Sequence, residues 1–335
     1  MLMDIHRKCA LYVAVFLLTV STSVVAEDEP QDESVPTEMV AVEVVSASAF
    51  NERVRRLPRL VEKIQIERIA ADTPNVLLPH RPNYVLPFTY MQRINKQPLA
   101  TLVDVAGLDE NRVRDRNYDF DHIEAMFQFS IKYILADDVF GKFSRIEVGY
   151  TNRSFWQSYN SDISKPFRET NHEPELIISL SPEGHWFDRY SVAFNHQSNG
   201  QAMILSRSWN RIIAEATKVT SQGVWVSRVW WRIPEKKRTD PLDPMTDDNP
   251  GIEQYMGIGE IRYIYPMALH SFTVNVRNNF SPDQNRGSVE LGWSFPMTTK
   301  VKGYVHYFDG YGDNMLDYNI YQRRFGIGVQ LSDWF

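Results

Sequence analysis

The stretch at residues 190–210, YSVAFNHQSNGQAMILSRSWN, holds three residue types that together can do nucleophilic chemistry: His196, Ser198 and Asn210. A serine hydroxyl becomes a nucleophile when a neighbouring imidazole takes its proton, and the imidazole needs a third group to fix its tautomer and orientation. Tyr190, Val192 and Phe194 alternate with Ser191, Ala193 and Asn195, which is the period of a strand. His196 and Ser198 continue the face of Tyr190, Val192 and Phe194. A second strand is expected from near Ser208, with Asn210 on the parity of Ile212, Ala214 and Ala216. The hairpin then sets a His, a Ser and an Asn on an otherwise apolar face. Ser198 would be the nucleophile, His196 the base and Asn210 its orienter. The backbone N–H of Gly200 could approach a developing oxyanion closely. A neutral amide suits a face turned to lipid, where an ionised carboxylate is costly. An H-x-S on a strand is common by itself; the matching parity of Asn210 is what gives the pattern weight.

The elements that must carry this hairpin repeat its alternation. Phe127, Phe129, Ile131 and Tyr133 alternate with Gln128, Ser130 and Lys132, and Val289, Leu291, Trp293 and Phe295 oppose Glu290 and Ser294. About twelve such segments are expected, at 84–93, 122–134, 144–157, 172–181, 186–198, 208–218, 222–234, 254–266, 268–279, 286–296, 298–308 and 318–335. Many have the roughly ten-residue length of a membrane strand. Their second residue class is charged: Lys132, Arg211, Glu215, Arg228, Arg232, Glu260, Arg262, Arg277 and Glu290. In a soluble sandwich these would face water. In a membrane barrel they would pair inside a narrow, filled lumen, because a sheet can span lipid only if it closes. Aromatics at 13% with a mildly polar average fit a barrel better than a helical membrane protein. The fold expected is an all-β, twelve-stranded antiparallel transmembrane β-barrel.

Before the strands the chain has a different character. Residues 1–26 read as a secretory signal: His6, Arg7 and Lys8 precede the uncharged Cys9–Val25, and Ala26 offers a cleavage point. An uncleaved anchor is the alternative. Cys9 is the one cysteine, so cleavage would leave a mature chain without thiol chemistry. Residues 27–82 read as an acidic tail and periplasmic linker, partly helical where Leu60, Val61, Ile64 and Ile69 recur within Asn51–Ala71. With a net charge of −6 and no long basic run, nothing in the sequence suggests a nucleic-acid partner, and none is expected. The loop Arg238–Gly251 carries Asp240, Asp243, Asp247 and Asp248, a cation-friendly set without EF-hand spacing.

The sequence H-x-S-N-G followed by S-R-S-W-N-R resembles the active-site signature of the bacterial outer-membrane phospholipase A family. Three further blocks carry the same resemblance: Ser164–Asn171 (SKPFRETN), Asp247–Pro250 with Tyr255–Gly257, and Gly310–Gly312 with Asp317–Asn319. It runs from about Asn83 to Phe335, and the terminal Phe335 is itself typical of outer-membrane barrels by resemblance.

The resemblance implies a barrel phospholipase domain over 83–335 in the bacterial outer membrane. It implies hydrolysis of phospholipid acyl esters with A1 and A2 activity, leaving lysophospholipase activity open, and a calcium-dependent homodimer. Carried onto this chain, Ser206 would give its hydroxyl and Gln201 its backbone carbonyl to a catalytic Ca2+, with Ser164 contributed from the partner barrel. Asp248 matches an acidic residue of a further calcium site. Gln201 stands where family members often have an arginine, which a carbonyl ligand tolerates. Met203 stands where an Asp is often found, and that departure weighs against the further site. Two other classes stay open: a non-catalytic barrel such as a porin, and a soluble secreted esterase.

Overall fold

A computed structural model describes residues 50–95, 120–165, 167–201, 205–237 and 246–334. The expected leader, the acidic stretch to residue 49, Met203, Asp240, Asp243 and Phe335 lie outside the described residues.

The strands are β1 (Asn83–Met91), β2 (Ile123–Asp137), β3 (Ser144–Trp156), β4 (Glu169–Leu180), β5 (Arg189–Ser198), β6 (Ser208–Val219), β7 (Val224–Arg232), β8 (Gly259–Met267), β9 (His270–Asn278), β10 (Gly287–Pro296), β11 (Lys302–Gly310) and β12 (Gln322–Ser332). Each pairs antiparallel with the next, and β12 returns to pair with β1, so the twelve-stranded sheet closes. Leu78–Pro79 pairs with Lys132 and Ile131 and continues the line of β1 along β2. Closure leaves no open edge, the condition for a sheet in lipid.

Alternation decides which way each residue faces. Phe129, Val148, Leu176, Ile178, Phe194, Val229, Val274, Leu291, Trp293, Phe325 and Ile327 are exposed on the outside. Their neighbours Gln128, Ser130, Lys132, Glu147, Glu173, Glu175, Asn195, Arg211 and Arg324 are buried inside. This is the reverse of a water-soluble sandwich and the pattern of a membrane barrel. The inward charges pair as the alternation predicts: Lys132 with Glu147 at 2.8 Å, Arg211 with Glu173 at 3.0 Å, and Arg228 with Glu175 at 3.1 Å. The lumen is filled. Among the described residues, two cavities inside the barrel, of ≈ 40 and ≈ 100 Å³, have room for a few waters.

Four expected strands, β5, β8, β11 and β12, begin three to five residues later than the alternation suggested, and at β8 and β12 the displaced residues pack inside the barrel. Before β8, residues Glu253–Met256 form a helical turn, and before β12, residues 313–320 form bends and turns. The reason is packing. Ile252, Met256, Met315 and Tyr318 turn inward and join Trp209, Ile213 and Trp230 in an apolar plug inside the barrel.

Helix α1 (Pro58–Ala71) covers the opposite end, where the short turns lie. Proline in its first turn suits an N–H that has no helical partner. Val54 and Leu57, just ahead of it, pack on Val219 and Val224. Arg53 pairs with Asp188 at 2.9 Å, Glu67 with Lys132 at 3.0 Å, and Lys63 donates to the Trp334 carbonyl at 2.6 Å. Burial alone would push the Glu67 carboxyl up, but Lys132, Lys63 and Arg189 outweigh it and hold it at about 2.

Candidate active site

The hairpin β5–β6 pairs His196 directly with Asn210, and Ser198 with Ser208. All four even-numbered residues therefore share the outward face with the exposed Phe194. The imidazole Nδ1 of His196 lies 2.9 Å from Oδ1 of Asn210. The Asn210 amide donates through Nδ2 to Glu235 at 3.4 Å, so its oxygen is the end turned to histidine. Oxygen can only accept; Nδ1 therefore carries the hydrogen, and Nε2 is left as the basic nitrogen. Ser198 stands two residues from His196 on the same face. Its hydroxyl makes no hydrogen bond among the described residues, so the structure brings His196 and Asn210 into contact and sets Ser198 beside them by register.

The odd-numbered residues hold this face still. Trp209 is fully buried and donates through Nε1 to Gln197 at 2.8 Å. The Arg211 guanidinium lies 4.1 Å over the Trp209 ring and donates to Asn195 Oδ1 at 2.7 Å. Asn195 in turn donates to Glu173 at 2.9 Å. The inward side of the hairpin is thus packed and hydrogen-bonded, which fixes the spacing of the outward side.

The loop after Ser198 is organised by Asn199. Its Nδ2 donates to the Leu205 carbonyl at 2.8 Å, and its Oδ1 accepts from the Arg207 N–H at 2.9 Å. Gly200 follows at φ +63°, a left-handed conformation that suits glycine.

The expected metal residues separate into two groups. Ser206 Oγ donates to Asp248 Oδ2 at 2.6 Å, and Asp248 Oδ1 accepts from the Ser208 N–H at 2.9 Å. The two residues assigned by resemblance to separate sites therefore touch. Glu235, Asp247 and Asp248 bring carboxylate oxygens within 4.8 Å of one another. Burial pushes the Glu235 carboxyl above its usual range; Arg232 opposes this, and Asp247 and Asp248 add to it. A set of hard oxygen donors with incompletely compensated charge fits a calcium ion. Gln201 donates through its N–H to Asn199 Oδ1 at 3.3 Å. Ser164 lies apart, on the loop between β3 and β4, where its carbonyl accepts from Trp156 at 2.8 Å.

Other motif residues serve the lumen. Arg168 pairs with Glu124 and Asp317, each at 2.8 Å, and Asn171 accepts from the Met315 N–H at 3.1 Å. Sequence reasoning missed Glu235 and His172. Glu235 lies 25 positions beyond Asn210 with no periodic signal. His172 was legible, since it shares outward parity with Leu176 and Ile178.

A closed antiparallel barrel, apolar outside and ion-paired within, defines an outer-membrane β-barrel protein, and one with a polar cluster on its outer wall. The phospholipase A1 family matches residues 60–331, and the chain belongs to that outer-membrane phospholipase A family. A phospholipase A1 of Escherichia coli (strain K12) is 33% identical over 270 residues, 79% of this chain and 84% of its own length. The calcium-bound dimer of Salmonella typhi outer membrane phospholipase superposes with a TM-score of 0.69 at 30% identity, covering 81% of this chain and 98% of that one. An active-site mutant of the Escherichia coli enzyme, an asparagine replaced by alanine, gives 0.67 at 29% identity, covering 79% and 95%.

Proposed function

We propose that this chain is a calcium-dependent outer-membrane phospholipase that hydrolyses acyl esters of glycerophospholipids, with A1, A2 and lysophospholipase activity, and that it acts as a homodimer. The observation that carries the reading is the His196–Asn210 hydrogen bond on the outward face, in register with Ser198. That face meets the bilayer, so a lipid ester reaches it without leaving the membrane.

In this reading Ser198 Oγ attacks the ester carbonyl while His196 Nε2 takes its proton. The carbonyl π pair moves onto oxygen, and the Gly200 N–H meets the charge. Collapse breaks the bond to the alkoxide, which takes the proton from His196. Water then repeats the sequence on the acyl-enzyme. Asn210 keeps Nδ1–H pointed away from serine throughout. Ser206, Asp248, Asp247 and Glu235, with the Gln201 carbonyl and Ser164 of a second copy, are the oxygen donors suited to Ca2+. When bound, the ion would supply positive charge beside the developing oxyanion. The dimeric, calcium-bound state of the Salmonella typhi relative and the active-site asparagine of the Escherichia coli one support these assignments. The ion pairs inside the barrel speak against a wide pore.

The test is hydrolysis of a phospholipid by detergent-purified protein, with and without calcium, beside Ser198→Ala. Activity that needs both supports the whole reading. Activity that needs Ser198 and ignores calcium removes the metal assignment. Activity that survives Ser198→Ala removes the nucleophile.

A further inference from the structure

One row of polar residues runs straight across four strands of the outer wall. Asn152 on β3 pairs with His172 on β4, His172 with Ser198 on β5, and Ser198 with Ser208 on β6. His172 therefore stands beside the nucleophile on the side away from Asn210. It is the second imidazole next to Ser198, and the mechanism above gives it no part.

Its hydrogen bonds set its chemistry. Nδ1 lies 2.7 Å from the Tyr150 hydroxyl and 3.4 Å from Asn152 Nδ2. The Asn152 oxygen is occupied, accepting from Ser154 Oγ at 3.0 Å, so the amide turns its N–H to the ring. An amide N–H only donates. Nδ1 of His172 is therefore an acceptor, and in the neutral ring the hydrogen sits on Nε2. This inverts the arrangement at His196, where an amide oxygen faces Nδ1 and frees Nε2 as a base. Two asparagines present opposite ends of their amides to two histidines, making one a base and the other a donor.

The donor nitrogen is turned to the loop after the serine. A Cβ built on Gly200 would lie 3.6 Å from His172 Nε2, so the ring edge borders the open side of that glycine. Gly200 has φ +63°, two residues beyond Ser198.

We infer that His172 is a catalytic residue whose Nε2–H donates a hydrogen bond to the oxyanion formed when Ser198 attacks. The inference rests on the reading of Ser198 as nucleophile. No proton leaves His172: the Ser198 proton goes to His196 and then to the departing alkoxide, while His172 only holds the oxygen that has gained the electron pair. Histidine donors serve this purpose because they are positioned before charge develops. Lipid surroundings strengthen the bond by excluding competing water.

The experiment compares His172→Phe and His172→Gln with the parent and with Ser198→Ala, on phospholipid in mixed micelles with saturating calcium. Folding is checked by heat-shifted gel migration, and dimer content by cross-linking. His172→Phe keeps a ring and removes the donor, so kcat should fall about 10²-fold with KM within about twofold. Gln sets an N–H close to where Nε2 was, so His172→Gln should recover most of that loss. A folded, dimeric His172→Phe within about twofold of the parent overturns the inference. So does a His172→Gln as slow as His172→Phe, since loss without donor rescue is a packing effect. An inactive parent, or an active Ser198→Ala, overturns the reading of the site and the inference with it. A Ser198-dependent parent beside a fast His172→Phe overturns the inference alone.

Discussion

His196 and Asn210 face each other across the β5–β6 ladder, with Nδ1 2.9 Å from the amide oxygen. An amide in that place fixes a tautomer without adding charge to a lipid-facing wall. In the proposed mechanism, replacing Asn210 by Ala removes the lock and leaves the base in place. The kcat for phospholipid hydrolysis should fall about 10–100-fold, which is ~1.4–2.7 kcal/mol of transition-state stabilisation. The barrel should still migrate as a folded species on unheated gels. Unchanged kcat in Asn210→Ala would remove Asn210 from the mechanism.

The barrel and this pair were legible in sequence for the same reason. A strand in a closed membrane sheet alternates strictly, so parity reports which wall a residue joins. Parity carried His196, Ser198 and Asn210 to one face, and Arg211, Glu260 and Glu290 to the other. It could not report contacts made through irregular backbone. Ser206 meets Asp248 across 42 positions, and Asn210 meets Glu235 across 25, through loops with no period. The inward plug of Ile252, Met256, Met315 and Tyr318 was hidden in the same way, because turn-rich segments bury residues one at a time. His172 lay within reach of parity. Parity along one strand does not report its register with the next, and it is register that sets His172 of β4 opposite Ser198 of β5.

Trp209 ties the inner wall to the outer one. It is fully buried, donates to Gln197 and lies under the Arg211 guanidinium. Trp209→Ala should cost about 3–5 kcal/mol through the cavity left behind. Urea unfolding of the protein reconstituted in lipid vesicles measures it. Activity should fall as well, since the hairpin loses its inner anchor. A midpoint unchanged from the parent would show the plug to be dispensable.

Asp248 holds Ser206 Oγ at 2.6 Å and the Ser208 N–H at 2.9 Å, with Glu235 and Asp247 alongside. Asp248→Asn keeps the shape and removes one negative charge from the oxygen-donor cluster. The calcium concentration giving half-maximal hydrolysis should rise about tenfold or more, since charge count governs such sites. Activity at saturating calcium should stay within about threefold of the parent. An unmoved calcium midpoint would separate Asp248 from the metal.

The turn end of the barrel offers a pH test. Glu67 on α1 reaches Lys132 inside the barrel at 3.0 Å and Arg145 at 3.5 Å. Burial disfavours its charge, yet Lys132 and its cationic neighbours hold the folded-state value at about 2, below the ordinary 4.5. A carboxylate depressed on docking stabilises the docked helix at any pH above its free value. That contribution fades as pH falls from about 4.5 to about 2 and is absent below both. Glu67→Gln removes it at neutral pH. A spin label at the exposed Ile69→Cys reports the state of the helix through its mobility. In the otherwise unchanged chain the label should stay restrained at pH 5–7 and loosen towards pH 2. Combined with Glu67→Gln it should already be looser at pH 7, and nearly flat across the acid range. Equal restraint in both chains at neutral pH would mean that Val54, Leu57 and the Arg53–Asp188 pair hold this end of the barrel closed without Glu67.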